Sequence, residues 1–480
     1  MKKSLLIILL ILSVGIEAGK GQYEILYNFN DTNGQIPISS LTLSGNKFYG
    51  TTYSGGMFND GCIFSIDTNG NNYKVLFYFN GTNGKNPYAG QLVISGNRLF
   101  GTTQIGGTYS NGNIFSIDTD GSGYKDLFDF NFTNGSQPIS TLIVSGNILF
   151  GTTSYGGTGT YASGVVFSVH IDGSGFKDLY NFKGSNAGNG NSAYPYGSLI
   201  LSGKVLYGMA YNGGSSYLEN AGCIYSIDSN GNGYKNIFNF NDTNGAGPEG
   251  SLTLSRGKLY GMTGYGGTHS KGNIFSIDTN GKNFKDILDF KGIFNGGNPL
   301  SDLTLCNAVL YGMTEIGGSC NDGLIFAIDT NGNRFKRIIH FNDTNGNLGV
   351  GKLILLGHDL YGMTPQGGKY GIGVVFRVDT NLIDKDSATF VEELLMLSTS
   401  VSLFPNPSSG SFTLSLANVK EKCEVEIYDV MGERLLKQIL RSTQDDNVIK
   451  LTSQPNGVYF YRVVKESGGV VGSGKVVLLR

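Results

Sequence analysis

The chain has 480 residues, 15% of them charged and 39% hydrophobic, and a formal net charge of -2 with its lysines and arginines scattered. This composition excludes a disordered chain and offers no basic patch for nucleic acid or an anionic membrane surface. Glycine reaches 74 residues and tryptophan is absent, which suits many short strands joined by tight turns and leaves little room for long helices.

Lys2 and Lys3, the apolar run Leu5 to Val14, and Ile16-Glu17-Ala18 read as a secretory signal peptide over residues 1–18. The run is well short of the roughly 20 residues a spanning helix needs, so no transmembrane segment is expected. An isolated strand-like run follows, Glu24-Ile25-Leu26-Tyr27-Asn28-Phe29.

From there one pattern recurs, clearest as Leu99-Phe100-Gly101-Thr102-Thr103-Gln104-Ile105-Gly106-Gly107 followed by Gly112 to Asp118. Its aromatic-Gly pair opens at Tyr49, Phe100, Phe150, Tyr207, Tyr260, Tyr311 and Tyr361, spacings of 51, 50, 57, 53, 51 and 50 residues. A period near 50 marks a repeat architecture. Each unit holds four runs bounded by turn residues, as in Gln91 to Ser95, Arg98 to Thr103, Asn113 to Asp118 and Tyr124 to Phe130, so four antiparallel strands per unit are predicted. Seven such units match the blades of a propeller.

The Glu24 to Phe29 run aligns with a fourth strand, whereas the last unit stops at Gly373 to Asp379, one strand short. The expected fold is therefore all-β: a seven-bladed β-propeller over residues 19–380, closed by its N-terminal strand.

Strand parity puts the Gly-Gly loops and the Asn-Asp-Thr-Asn-Gly loops on one face, with the longest loops at Lys183 to Gly197 and Ser215 to Ala221. The slot just after the second strand varies: Tyr53, Gln104, Ser154, Tyr211, Gly264, Glu315 and Pro365. With the adjacent Tyr155 and Tyr265, these give a candidate ligand-binding set of Tyr53, Gln104, Tyr155, Tyr211, Tyr265 and Glu315. Tyrosines beside amide and acidic groups can stack on and hydrogen-bond a sugar or a peptide. Ordinary loop-end residues are the competing reading, and the lack of tryptophan weighs against a glycan.

No metal, cofactor or catalytic cluster is expected. The recurring Asp67, Asp118, Asp228, Asp278, Asp329 and Asp379 fail the calcium-loop spacing and read as turn-closing residues, with His170 in the same slot of the third unit. The four histidines, His170, His269, His340 and His358, fall in four different units at different positions. Gly106-Gly107 reads as a backbone turn, since no helix follows to make a phosphate cradle. Five cysteines make no disulfide framework, and Cys306 and Cys320 are separated by a predicted strand too long to bridge.

The repeat is lost over residues 381–400, a linker with a short apolar run at Val391 to Leu397. Residues 401–480 then carry strand-like runs at Phe412 to Leu416, Cys423 to Asp429, Val458 to Val464 and Lys475 to Leu479, which predict a small C-terminal β-sandwich.

Four ordered landmarks in this tail are Phe404-Pro405-Asn406-Pro407 with Gly410, Val425 to Asp429 with Gly432, Pro455 to Phe460, and Lys475 to Leu478. With these the tail resembles the type A C-terminal sorting domain of the type IX secretion system. The resemblance implies that Pro405, Asn406, Pro407, Gly410, Gly432, Gly457 and Tyr459 form the sorting motif. It also implies that the type IX machinery is a partner and that the protein is extracellular or on the outer cell surface. The repeats, through Leu99 to Thr103, Gly106-Gly107 and Gly112 to Phe115, resemble the GloVer tandem-repeat family over about residues 24 to 380. That resemblance implies a bacterial surface protein and no known activity. Units four to seven depart from Thr-Thr, as in Met209-Ala210 and Met262-Thr263.

The functional expectation is a secreted or surface-attached binding or adhesion module for a polysaccharide or a surface protein. The alternative is a propeller-type glycan-active hydrolase or lyase using Glu249, Glu315 or Glu219, which requires paired carboxylates about 5 to 10 Å apart.

Overall fold

The computed structural model describes residues 22–380, apart from 89, 185–191 and 215–219, and residues 401–479, apart from 405, 417–421, 430–433, 441–446 and 466–469. The expected signal peptide and linker lie outside these residues, as does the apolar run at Val391 to Leu397. The chain divides into two compact units, Met1–Thr380 and Asn381–Arg480. Among the described residues there is no α-helix, and so none long and apolar enough to cross a membrane.

The first unit opens with β1 (Tyr23–Asn28), and its first repeat supplies β2 (Thr42–Ser44), β3 (Lys47–Thr52), β4 (Cys62–Asp67) and β5 (Lys74–Tyr78) in one antiparallel sheet. Among the described residues seven such four-stranded sheets follow one another along the chain. The two middle strands of each are buried on both faces, as in Arg98–Thr103 and Asn113–Asp118, whereas the outer strands are half-buried. Burial on both faces means that each sheet is sandwiched between neighbours. One apolar cluster joins Tyr49 and Ile63 of the first sheet to Leu92, Leu99 and Phe115 of the second, and another joins Tyr361, Met363 and Val375 of the seventh to Phe48, Phe64 and Ile66 of the first.

The packing explains the aromatic-Gly signature. A Cβ on Gly101 would lie 2.6 Å from the Phe115 ring and 2.8 Å from Leu92, so only glycine lets that ring cross the strand. The same clash, with Phe64, Phe167, Tyr225, Phe275, Phe326 or Phe376, recurs at the other six glycines. Neighbouring sheets are also keyed by stacked rings: Tyr27 on Tyr73 at 3.8 Å, Phe77 on Tyr124 at 3.9 Å, Phe128 on Phe176 at 4.1 Å and Tyr180 on Tyr234 at 3.6 Å.

The seventh sheet takes its fourth strand from the other end of the chain. β1 pairs antiparallel with Val374–Asp379, with Tyr23 opposite Val378 and Asn28 opposite Val374, which is the pairing expected for the 24–29 run. Its bulge at Leu26 falls where Leu76 and Leu127 bulge in their own sheets. The half-exposed Glu24 meets the buried Arg377 at 3.0 Å, and Phe29 is fully buried against Phe64.

One expectation needs correction. The first strand of each repeat is shorter than predicted, three residues such as Val93–Ser95 instead of Gln91 to Ser95. Gln91 leaves the sheet because its backbone N–H donates to Thr141 Oγ1 of the next repeat.

In the second unit Val401–Phe404, Ser411–Leu416 and Asn447–Lys450 form one sheet, while Arg434–Leu440, Cys423–Tyr428, Gly457–Lys465 and Val470–Leu478 form another. Three of these strands were not predicted. Both sheets contribute to one core, Phe412, Leu414 and Ile449 meeting Val425, Ile427, Tyr461, Val463 and Val476.

Candidate functional site

The site is built by the segments that lead from one repeat into the next. Six of them begin with proline, at Pro37, Pro87, Pro138, Pro195, Pro248 and Pro299, and the seventh has Gly349. Proline cannot donate to a ladder and turns the chain out of its sheet. The residue before the following leucine then reaches sideways: Thr141 N donates to Ser198 Oγ at 2.9 Å, Ser198 N to Ser251 Oγ at 2.9 Å, and Ser251 N to Asp302 Oδ1 at 2.6 Å. Asp302 pairs with Lys352, and Lys352 N donates to Ser40 Oγ at 2.7 Å, linking the last repeat to the first. Gln91 Nε2 completes the circuit by donating to Leu41 O at 2.5 Å.

These segments surround a cavity of about 340 Å³. Each contributes the residue after its proline or Gly349: Ile38, Tyr88, Ile139, Tyr196, Glu249, Leu300 and Val350. Gln104, Gln137 and Tyr155 join from the loops, and Gln104 Nε2 donates to Gln137 Oε1 at 3.2 Å. Those loops are held from below by buried threonines, Thr153 Oγ1 donating to Tyr155 O at 2.9 Å and Thr263 Oγ1 to Tyr265 O at 3.0 Å.

Tyrosines run around the cavity in contact with one another. Tyr155 lies 5.1 Å from Tyr194, Tyr194 6.4 Å from Tyr196, and Tyr196 5.2 Å from Tyr211, measured between ring centroids. Tyr211 and Tyr265 flank Gly247, where a Cβ would lie 3.0 Å from either ring. On the other side Tyr53 meets Tyr88 edge to face at 5.8 Å.

The electrostatics centre on Glu249. Burial, reinforced by the Glu315 carboxylate, pushes its carboxyl up to about 7. Burial also raises Glu315, whose carboxylate is partly relieved by the Asn298 amide. Burial and then the Glu249 charge raise the phenols of Tyr88, Tyr211 and Tyr265, which places all three within its field. Among the described residues no hydrogen-bond donor or cation is recorded against the Glu249 carboxylate.

Gln104 and Tyr155 of the predicted set line the cavity, while Tyr53, Tyr211, Tyr265 and Glu315 adjoin it through Tyr88, Tyr196 and Glu249. Tyr88, Tyr194 and Tyr196 were missed; the signal that points to Tyr88 and Tyr196 is their recurring place after proline. Glu219 lies outside the described residues. The recurring aspartates cap turns and pair with cations, Lys47 with Asp67 at 2.5 Å and Lys258 with Asp278 at 2.8 Å. No group of three or more His, Cys, Asp or Glu is placed to hold a metal among the described residues.

In the second unit Asn406 bridges to the last strand, its Nδ2 donating to Lys475 O at 3.0 Å and its Oδ1 accepting from Val477 N at 2.8 Å. Ser408 Oγ accepts from Gly410 N at 3.1 Å. Gly457 opens a strand, two residues before the buried Tyr459, whose hydroxyl donates to Pro455 O at 2.7 Å. Pro405 and Gly432 lie outside the described residues, and of Pro407 only its place between Asn406 and Ser408 bears on the motif.

Comparison with known proteins places this geometry in context. The extracellular domain of a one component system from B. thetaiotaomicron is similar at 12% identity and a TM-score of 0.47, over 95% of this chain and 57% of that one. PorZ, a surface component of the type-IX secretion system of Porphyromonas gingivalis, is similar at 14% identity and a TM-score of 0.36, over 91% of this chain and 64% of that one. The chain thus spans less than two thirds of the length of either. No curated protein matches it. The model of the Gloeobacter/Verrucomicrobia repeat matches residues 14–218 and 157–323, and that of the secretion system C-terminal sorting domain matches residues 402–478. The chain therefore belongs to the Gloeobacter/Verrucomicrobia (GloVer) repeat family, and its type IX sorting domain directs it to the cell surface or the extracellular space.

Proposed function

We propose that residues 19–380 form a seven-bladed β-propeller closed by its N-terminal strand, and that this propeller is a binding or adhesion module displayed outside the cell. Residues 1–18 are its leader, 381–400 its linker and 401–480 a small sandwich read by the type IX machinery. The observation that carries the reading is the aromatic cavity on which all seven inter-repeat segments converge. Hydrogen-bonded segments between the strands hold its tyrosines at fixed spacing, so stacking area is gained at low entropic cost. The bound group is part of a polysaccharide or a surface protein.

The test is retention of the secreted chain on immobilised polysaccharides and surface proteins, compared with a Tyr155→Ala/Tyr196→Ala variant of unchanged melting temperature. Retention lost in the variant is expected; equal retention would remove the cavity from the binding surface.

One observation favours a second reading. A carboxyl held near 7 beside another carboxylate is suited to general acid catalysis, so Glu249 and Glu315 fit a glycan-cleaving pair. Release of soluble sugar from a bound polysaccharide, abolished in Glu249→Gln, would favour it over binding alone.

A further inference from the structure

The cavity is aromatic and acidic at once. Three tyrosines, Tyr88, Tyr155 and Tyr196, and two carboxylates, Glu249 and Asp302, are among its lining residues, whereas none of the described lining residues is Lys, Arg or His. Asp302 is engaged, since it accepts the Ser251 N–H at 2.6 Å. Among the described residues no donor or cation engages Glu249, and Glu315 nearby adds a second charge of the same sign. A carboxylate lining a cavity with three tyrosines repels anions, and a neutral sugar could donate hydroxyls to it without neutralising its charge. The faces of tyrosine rings carry negative potential, which attracts a cation at the same place.

We infer that the cavity takes a ligand presenting an organic cation, an alkylammonium group seated among Tyr88, Tyr155 and Tyr196 against the Glu249 carboxylate. The inference rests on the binding reading above and specifies its ligand chemistry. Binding then depends on the charge of Glu249. The groups facing it are the phenols of Tyr88, Tyr196, Tyr211 and Tyr265 and the carboxyl of Glu315; the phenols are all raised and stay neutral below pH 9. With a carboxyl near 7, about 97% is ionised at pH 8.5 and about 3% at pH 5.5, so a ligand that selects the ionised form weakens about 30-fold between them.

The experiment is calorimetric titration of the full secreted chain with choline chloride and with its uncharged isostere 3,3-dimethyl-1-butanol at pH 8.5 and 5.5. Nα-acetyl-lysine amide and N,N,N-trimethylglucosaminium, both cationic at either pH, are further arms that distinguish a peptide from an amino-sugar source of the ammonium group. At least one cation should bind about 10-fold or more tighter than the isostere at pH 8.5, and weaken about 30-fold at pH 5.5. Glu249→Gln should bind weakly at both pH values while melting as a folded protein. Binding of every cation no tighter than that of the isostere, or cation binding independent of pH, overturns the inference. If no cation binds but Tyr155→Ala/Tyr196→Ala still abolishes retention on a neutral polysaccharide, this inference alone fails. If no cation binds and that variant is retained everywhere as the parent is, the binding reading fails with it.

Discussion

Removing residues 19–30 tests the role of the N-terminal strand directly. The deletion strips β1 from Val374–Asp379 and removes Phe29, fully buried against Phe64, and Tyr27, stacked on Tyr73 at 3.8 Å. Truncating a buried phenylalanine costs about 3–5 kcal/mol, and an aromatic pair contributes about 0.5–1.5 kcal/mol beyond its area. Closing so long a loop opposes this only weakly, since each doubling of length costs about 0.6 kcal/mol. The net loss is about 4–6 kcal/mol, and at roughly 2 °C per kcal/mol for a domain of this size the melting temperature should fall by about 8–12 °C. Scanning calorimetry measures the fall, with Phe29→Ala in the intact chain recovering most of it. Light scattering should also detect association through the bared edge of Val374–Asp379. An unchanged melting curve and a monomeric truncated protein would refute the reasoning.

Three further outcomes are expected. Glu249 titrates near 7 when folded against an ordinary 4.5, so its ionisation opposes folding: the penalty is absent below about pH 4.5, grows up to 7 and is complete above it. Glu249→Gln should therefore stabilise the protein by about 3 kcal/mol at pH 8 and leave it unchanged at pH 4, as read by urea unfolding at both values. Ser198→Ala leaves the Thr141 N–H without its 2.9 Å partner and should cost about 1–3 kcal/mol in the same assay, whereas Ser198→Thr should retain most of the stability. Deleting residues 401–480 should keep the truncated protein out of the medium, followed by immunoblotting of cell fractions, while the repeats melt as before; normal secretion would deny the tail its role as an address.

Much of the fold is written locally. Each repeat specifies its strands by apolar alternation and turn residues, and Gly101 and its six counterparts are required by a ring that crosses them from the adjacent strand, a contact set within one hairpin. The orphan run at 24–29 could be assigned to the last sheet because it repeats the fourth-strand pattern down to the residue that bulges, Leu26. The site was legible only in part. Gln104 and Tyr155 stand beside the repeat signature and are found by counting along it. Tyr88 and Tyr196 stand in segments that read as loops between strands, and Glu249, named only as a candidate acid, stands in another; the sideways hydrogen bonds from one repeat to the next bring these segments together. The state of Glu249 is less local still. Its carboxyl is raised by burial within a cavity assembled from all seven repeats and by Glu315, 66 positions away, and no short stretch of sequence encodes the dielectric that those repeats create together.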